Sequence, residues 1–146
     1  MNYVIIGNSA AAVGTITGIR EIDKTGKITV ISDEKYHTYS RPLISYWLMG
    51  KVNDRNIFYR EPDFYEKNNV ETLLGRKVTK IDPSEKKVVL DDGNAVAYDK
   101  LMVATGSKPF VPPMNGLDKI SCHTFMTYDS VKAIKADVRE GMKVLI

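Results

Sequence analysis

Cysteine is nearly absent. Cys122 is the only one in the chain, so neither an internal disulfide framework nor a zinc site built on paired cysteines can form. Cys122 itself reads as a small buried residue. Histidine is almost as scarce, and His37 and His123 have no partners at catalytic or metal-ligand spacing. Both read as loop or strand-end residues, and no metal site is expected. No apolar run approaches the roughly 18 residues that a membrane-crossing helix requires, and the N-terminus lacks the basic and apolar regions of a secretory signal. Charge of one sign is not concentrated anywhere: 21 basic and 18 acidic side chains leave a net +3, spread along the chain. A nucleic-acid binder would usually show a clustered basic face. These absences predict a cytoplasmic protein that engages neither membrane nor nucleic acid.

What is present is a chain of 146 residues, 43% apolar, enough for a domain with a real core. Asn2–Ile6 is short, β-branched and apolar, as a buried parallel strand should be. Gly7 interrupts it. From Ser9 to Ile22 apolar residues recur every three or four positions (Ala12, Val13, Ile16, Ile19, Ile22), the period of a helix with one buried face. Lys24-Thr25-Gly26 ends that helix, and Lys27–Ser32 reads as a second strand. The result is a βαβ pattern of about 30 residues. Further on, Ser40 is a candidate N-cap, Pro42 suits a first helical turn and Gly50 suits a helix end. A short helix is expected from Pro62 to the Asn68-Asn69 pair. Val70–Leu74, Lys77–Asp82, Lys87–Leu90 and Ala95–Tyr98 read as short strands, with Asp92-Gly93 as hairpin turn chemistry. Leu101–Ala104 regains buried-strand character, Ser121–Met126 suggests a short strand, and Tyr128–Val138 a helix with Val131, Ile134 and Val138 on one face. Lys143–Ile146 opens another apolar β-run, which suggests a fragment of a longer polypeptide.

The turn Gly7-Asn8-Ser9-Ala10-Ala11-Ala12 stands where a G-x-G-x-x-G fingerprint would lie, written here as G-x-S-x-x-A. Such a fingerprint uses its first glycine for a sharp strand-to-helix turn, its second for close approach of a pyrophosphate to backbone, and its third for helix–strand packing. Ser9 and Ala12 are small substitutes for the second and third. With Ala10 they leave the positive end of the helix open to phosphate. Glu34, just past the second strand, can accept hydrogen bonds from both hydroxyls of an adenosine ribose; its neighbour Asp33 competes for that role. A plain tight turn and a solvated loop acid are the alternatives.

Three further runs give the chain a family likeness: Tyr39-Ser40-Arg41-Pro42-Leu43-Ile44-Ser45, Leu101-Met102-Val103-Ala104-Thr105-Gly106-Ser107-Lys108-Pro109, and the proline-containing connector that leads into Met142–Ile146. With the Gly7 turn, these resemble the N-terminal part of the pyridine nucleotide–disulfide oxidoreductase superfamily. Within it the likeness is strongest to the NAD(P)H-dependent rubredoxin, ferredoxin and nitrite reductases. The resemblance implies an α/β fold, a Rossmann-like ββα three-layer FAD-binding domain with a parallel central sheet and a small antiparallel β-meander. It implies an FAD-binding first segment over residues 1–106, a connector over 107–141 with a short strand and helix, and the first strand of a truncated NAD(P)H domain at 142–146. Carried onto matching positions, it sets Arg41 and Pro42 beside the flavin and its diphosphate and the backbone of Val78 against the adenine. Ala104, Thr105 and Gly106 close over the cofactor. The structural alternatives are a surface arginine, a core valine and a strand-ending turn.

Two departures narrow the expectation. Relatives that reduce iron–sulfur proteins often have a lysine after the serine of the Arg-Pro run, where this chain has Tyr46. No cysteine lies between residues 40 and 50, which excludes thiol–disulfide chemistry against the flavin. Trp47, Tyr46 and Leu43 could line the flavin, but a helix packing face is the better reading. The expected function is therefore the FAD-binding part of an NAD(P)H-dependent oxidoreductase. It would pass electrons to a nitrite-reducing centre, rubredoxin, another small redox protein or further domains, with no catalytic side chain assignable, and an oligomer is compatible with the sequence. A non-catalytic module that holds ADP or NAD is the alternative. FAD and, in a longer parent, NAD(P)H are the expected cofactors.

Overall fold

Four of the expected β-runs pair side by side. In the computed structural model, which describes all residues from Met1 to Ile146, β1 (Asn2–Ile6), β2 (Lys27–Ser32), β3 (Val70–Leu74) and β7 (Lys100–Val103) form a parallel sheet in the order β3-β2-β1-β7. The registers Ile5↔Val30 and Ile5↔Met102 set β1 between its two neighbours. Three further strands, β4 (Val78–Asp82), β5 (Lys87–Leu90) and β6 (Ala95–Ala97), make a separate antiparallel meander. Its β5–β6 turn holds Gly93 at φ +83°, as the Asp92-Gly93 pair requires.

Strand alternation then decides what each face of the parallel sheet covers. One face gathers Ile5, Ile28 and Val30 against Ala12 and Ile16 of α1 (Ala10–Ile22) and Tyr65 of α3 (Phe64–Lys67). The other gathers Val4, Ile6 and Ile31 against Val88 and Leu90 of the meander. Helices, parallel sheet and meander are the three layers that the resemblance implied. Arg20 ties the helical layer down through bonds to four carbonyls: Asn68 (2.7 Å), Asp23 (2.9 Å), Gly26 (2.9 Å) and Asn69 (3.1 Å). The helix expected from Pro62 is confined to α3, and Asn69 follows at φ +48°, a conformation that asparagine tolerates better than most residues.

These elements belong to one of two compact units, Met1–Ser40 with Phe58–Gly106; Arg41–Ile57 with Ser107–Ile146 make the second. In the second unit the segment after Ser40 is a 3₁₀ turn at Arg41–Leu43 that leads into the short α2 (Ile44–Leu48), and Gly50 follows at φ +73°. The second helix, α4 (Tyr128–Asp137), begins in a capping box. The Ser130 N–H donates to Thr127 Oγ1 at 3.1 Å, and the Thr127 N–H donates to Ser130 Oγ at 2.9 Å. Val131 is buried, but Val138 falls at the C-cap and is exposed.

Three expectations for this unit are corrected. Ser121–Met126 and Lys143–Ile146 are not strands; their apolar runs find no neighbouring strand here, and a β-run without a partner has unpaired backbone groups to hydrate. Cys122 is exposed rather than buried, because the segment that holds it joins no sheet. His123, read as a loop or strand-end residue, lies in that same loop, with its Nε2 at 2.8 Å from Asp137 Oδ2, a carboxylate supplied by the far end of α4.

Candidate functional site

The turn after β1 is built by three strand ends. The Gly7 N–H donates to the Ile31 carbonyl at 2.8 Å and the Ala104 N–H to the Ile6 carbonyl at 2.7 Å, which draws the ends of β2 and β7 onto it. Gly7 adopts φ +113°, and a Cβ added to it would lie 2.2 Å from the Ala104 carbonyl oxygen and 3.2 Å from the Thr105 nitrogen. Glycine is required here twice, by its dihedral angle and by the closeness of the chain's own Ala104-Thr105 backbone. That juxtaposition places Gly7, Ser9, Ala10 and Ala12 at one end of the sheet together with Ala104 and Thr105.

Ser9 is the N-cap of α1, with extended backbone, and its carbonyl accepts the Val13 N–H at 3.1 Å; its side chain makes no capping hydrogen bond. The first-turn amides of a 13-residue helix therefore receive no acceptor from their own cap, and such amides attract an anion. Ala10 is exposed there, whereas Ala12 is fully buried against the sheet. The two small residues do separate jobs: one keeps the helix start open, the other lets helix and strand pack closely.

At the end of β2, Asp33 is exposed and Glu34 is half-buried. The Glu34 carboxylate accepts the Tyr39 hydroxyl at 2.5 Å, its N–H donates to Ser32 Oγ at 3.2 Å, and its carbonyl accepts the Gly75 N–H at 3.3 Å. These bonds single out Glu34 as the carboxylate with a defined position. Asn8, inside the glycine turn, reaches the same loop: its Nδ2 donates to the Tyr36 carbonyl at 3.1 Å, and its Oδ1 accepts the Tyr65 hydroxyl at 2.5 Å. The Tyr65 oxygen also accepts the Thr38 N–H at 3.2 Å. Burial pushes the Tyr65 phenol above its ordinary pKa, which keeps it protonated and able to donate. His37 stacks at a tilt on the Tyr65 ring, 4.6 Å between centroids. Sequence reasoning passed over Asn8, Tyr39 and Tyr65. The available signal for Asn8 was an amide at the variable position of a turn whose other residues are all glycine or small.

Val78 packs its side chain into the meander-side core. The β4 register shifts between Val78 and Lys80, and the Thr79 hydroxyl turns to the Val89 carbonyl at 3.2 Å. Gly106 is exposed at φ +68° with nothing crowding a would-be Cβ, so its conformation alone demands glycine.

Arg41 and Pro42 belong to the second unit. Arg41 Nη1 donates to the Met126 carbonyl at 2.9 Å, at the entry to α4. Nearby in that unit, Asp54 accepts Trp47 Nε1 at 2.7 Å and the Tyr128 hydroxyl. Those bonds, Tyr128's first and then Trp47's, hold the Asp54 carboxyl below its ordinary value. The Trp47 and Tyr128 rings meet edge to face at 5.0 Å, and the Lys135 and Lys132 ammonium groups stand over them at 4.5 Å and 4.0 Å. Trp47 is thus a packing residue, as expected, whereas Tyr46 is exposed. No group of histidine, cysteine and acidic side chains could hold a metal ion, and no helix is long and apolar enough to cross a membrane.

A parallel sheet with a glycine turn, an open helix start and an ordered acid after the second strand is a Rossmann-like arrangement. The chain belongs to the pyridine nucleotide-disulphide oxidoreductase family, whose sequence profile matches residues 1–146. Among its relatives, the NADH-dependent phenylglyoxylate dehydrogenase subunit epsilon of Aromatoleum evansii is 32% identical over 99% of this chain and 34% of its own length. The nitrite reductase [NAD(P)H] of Bacillus subtilis is 31% identical over 98% of the chain and 18% of its own length. The crystal structure of NADH:rubredoxin oxidoreductase from Clostridium acetobutylicum superposes with a TM-score of 0.80 at 29% identity, covering 93% of this chain and 35% of that one. The chain spans about a third or less of the length of these relatives.

Proposed function

We propose that these residues form the FAD-binding portion of an NAD(P)H-dependent flavoprotein oxidoreductase. Electrons pass from nicotinamide through FAD to an acceptor such as a nitrite-reducing centre, rubredoxin or a similar redox protein. The observation that carries the reading is the start of α1, where Gly7 is locked against Ala104-Thr105 and the Ser9 side chain leaves the first-turn amides uncapped. A diphosphate supplies the acceptor that this helix start lacks.

The residues present fit FAD. Gly7, Ser9, Ala10 and Ala12 form the diphosphate turn, Glu34 receives the adenosine ribose, and the Val78 backbone lies along the adenine. Ala104, Thr105 and Gly106 close the site, and Arg41 with Pro42 attends the flavin and its diphosphate, where a guanidinium suits phosphate oxygens. When bound, FAD supplies the hydride acceptance and electron release. The protein's part is to bind and orient it, and no side chain is assigned the role of acid or base. With no cysteine between residues 40 and 50, thiol chemistry is not part of the reaction, and the absence of a lysine at Tyr46 removes one means of pairing with an acidic partner near the flavin. Nicotinamide binding falls to sequence beyond residues 1–106, in keeping with the fraction of each relative that the chain spans.

Reconstitution tests the reading. The purified chain, titrated with FAD, should quench flavin fluorescence and shift the flavin absorption band, while NADH oxidation with ferricyanide as acceptor stays negligible. Tight binding of ADP or NAD with no affinity for FAD would instead support a regulatory nucleotide module, and rapid NADH turnover would show that the chain suffices for catalysis.

A further inference from the structure

We infer that Tyr39 is a positioning residue that holds the Glu34 carboxylate ready for the two ribose hydroxyls of a bound adenine dinucleotide. The inference rests on the proposal that Glu34 receives that ribose.

The geometry makes Tyr39 the fixed member of the pair. Its residue is 5% exposed, its main chain is bridged to Phe58, and its ring meets Tyr36 edge-on at 6.4 Å. Glu34, in contrast, is a flexible side chain on the loop just past β2, half-exposed to solvent. Their bond of 2.5 Å, from the Tyr39 hydroxyl to Glu34 Oε2, therefore ties the carboxylate to the buried ring. Restricting a glutamate's rotamers in advance removes an entropy cost that a ligand would otherwise meet on binding. A carboxylate has about four lone-pair sites, so accepting one phenol does not exclude accepting ribose hydroxyls as well.

The neighbouring network acts in the same sense. Asn8 and Tyr65 bond to the backbone of Tyr36 and Thr38, which sets the loop between Glu34 and Tyr39 against the glycine turn. The ribose acceptor and the diphosphate turn are thereby held in one frame before any ligand arrives.

The test uses FAD and its analogue that lacks the 2′- and 3′-hydroxyls of the adenosine ribose, each titrated by flavin fluorescence. Tyr39→Phe retains the ring and its packing and removes only the hydroxyl. It should weaken FAD binding about tenfold and leave the dideoxy analogue unaffected. In a Glu34→Gln background, which weakens FAD binding on its own, Tyr39→Phe should cause no further loss. Should Tyr39→Phe weaken both ligands equally, or add its full effect to that of Glu34→Gln, the inference falls while the ribose role of Glu34 stands. Should Glu34→Gln bind FAD as the unaltered chain does, the ribose role falls and the positioning role with it.

Discussion

The glycine turn in the first unit and the Arg41 segment in the second are held by different means. The turn is made of backbone. Its parts are strand ends joined by main-chain hydrogen bonds, a glycine pressed on the Ala104 carbonyl, and helix amides without a side-chain cap. The Arg41 segment is made of side chains: a guanidinium on the Met126 carbonyl and an Asp54 carboxylate that gathers Trp47 and Tyr128. A backbone site fails through a change of shape. A side-chain site fails through loss of a charge or a hydrogen bond, and so responds to pH.

The sharpest way to break the turn is Gly7→Ala. The new Cβ would stand 2.2 Å from the Ala104 oxygen at a φ of +113°, so steric overlap and dihedral strain act together. A loss of about 2–4 kcal/mol in unfolding free energy is expected, read from urea denaturation followed by circular dichroism. An unchanged midpoint would mean that β7 yields easily and that the turn is less rigid than its packing implies.

The same contrast explains what was legible in the sequence. β1, β2 and the span of α1 follow from local periods: Lys27–Ser32 was delimited as found, and α1 differs only in that Ser9 stands outside it as the cap. Backbone-built features of this kind are written in consecutive residues. Gly7, Ala12 and the Asp92-Gly93 hairpin were readable for that reason. The pairings Arg41–Met126, Asp54–Tyr128 and Asn8–Tyr65 join residues far apart in the chain, and no local pattern announces them. The apolar runs at Ser121–Met126 and Lys143–Ile146 misled in the opposite direction. Composition reports β-propensity, but a strand exists only where a neighbour supplies its hydrogen bonds.

Tyr65→Phe sharpens the comparison, because Tyr65 is where a side chain braces the backbone turn. Removing the hydroxyl leaves the Thr38 N–H and Asn8 Oδ1 short of a partner in a place where the ring is 9% exposed. A destabilisation of about 1–3 kcal/mol is expected, smaller than for Gly7→Ala because no atom is forced into another. Hydrogen exchange at Thr38 should quicken at the same time. A loss of stability without faster exchange there would place the effect in packing rather than in the network.

The smallest effect concerns acid, and it separates the two regions most directly. Asp54 has its pKa depressed in the folded chain from 3.8 by the Tyr128 and Trp47 hydrogen bonds. A carboxylate whose folded value lies below its unfolded value contributes stability that is complete above the unfolded value and lost as pH falls through the folded one. The contribution should thus be intact at pH 6 and fade below about pH 4. Asp54→Asn replaces the charged acceptor by a neutral amide, so it should lower stability modestly at neutral pH and flatten the acid limb of the profile. The probe is Trp47 fluorescence, because that indole donates directly to Asp54 and reports the second unit alone. Other carboxylates titrate in the same range, Asp23 among them, lowered by the Gly26 and Thr25 amides, so the comparison is the difference between the two chains' profiles rather than either curve. If that difference is constant from pH 6 to pH 3, the Asp54 charge does not hold the Arg41 segment, and the second region is set by ring packing in place of a carboxylate.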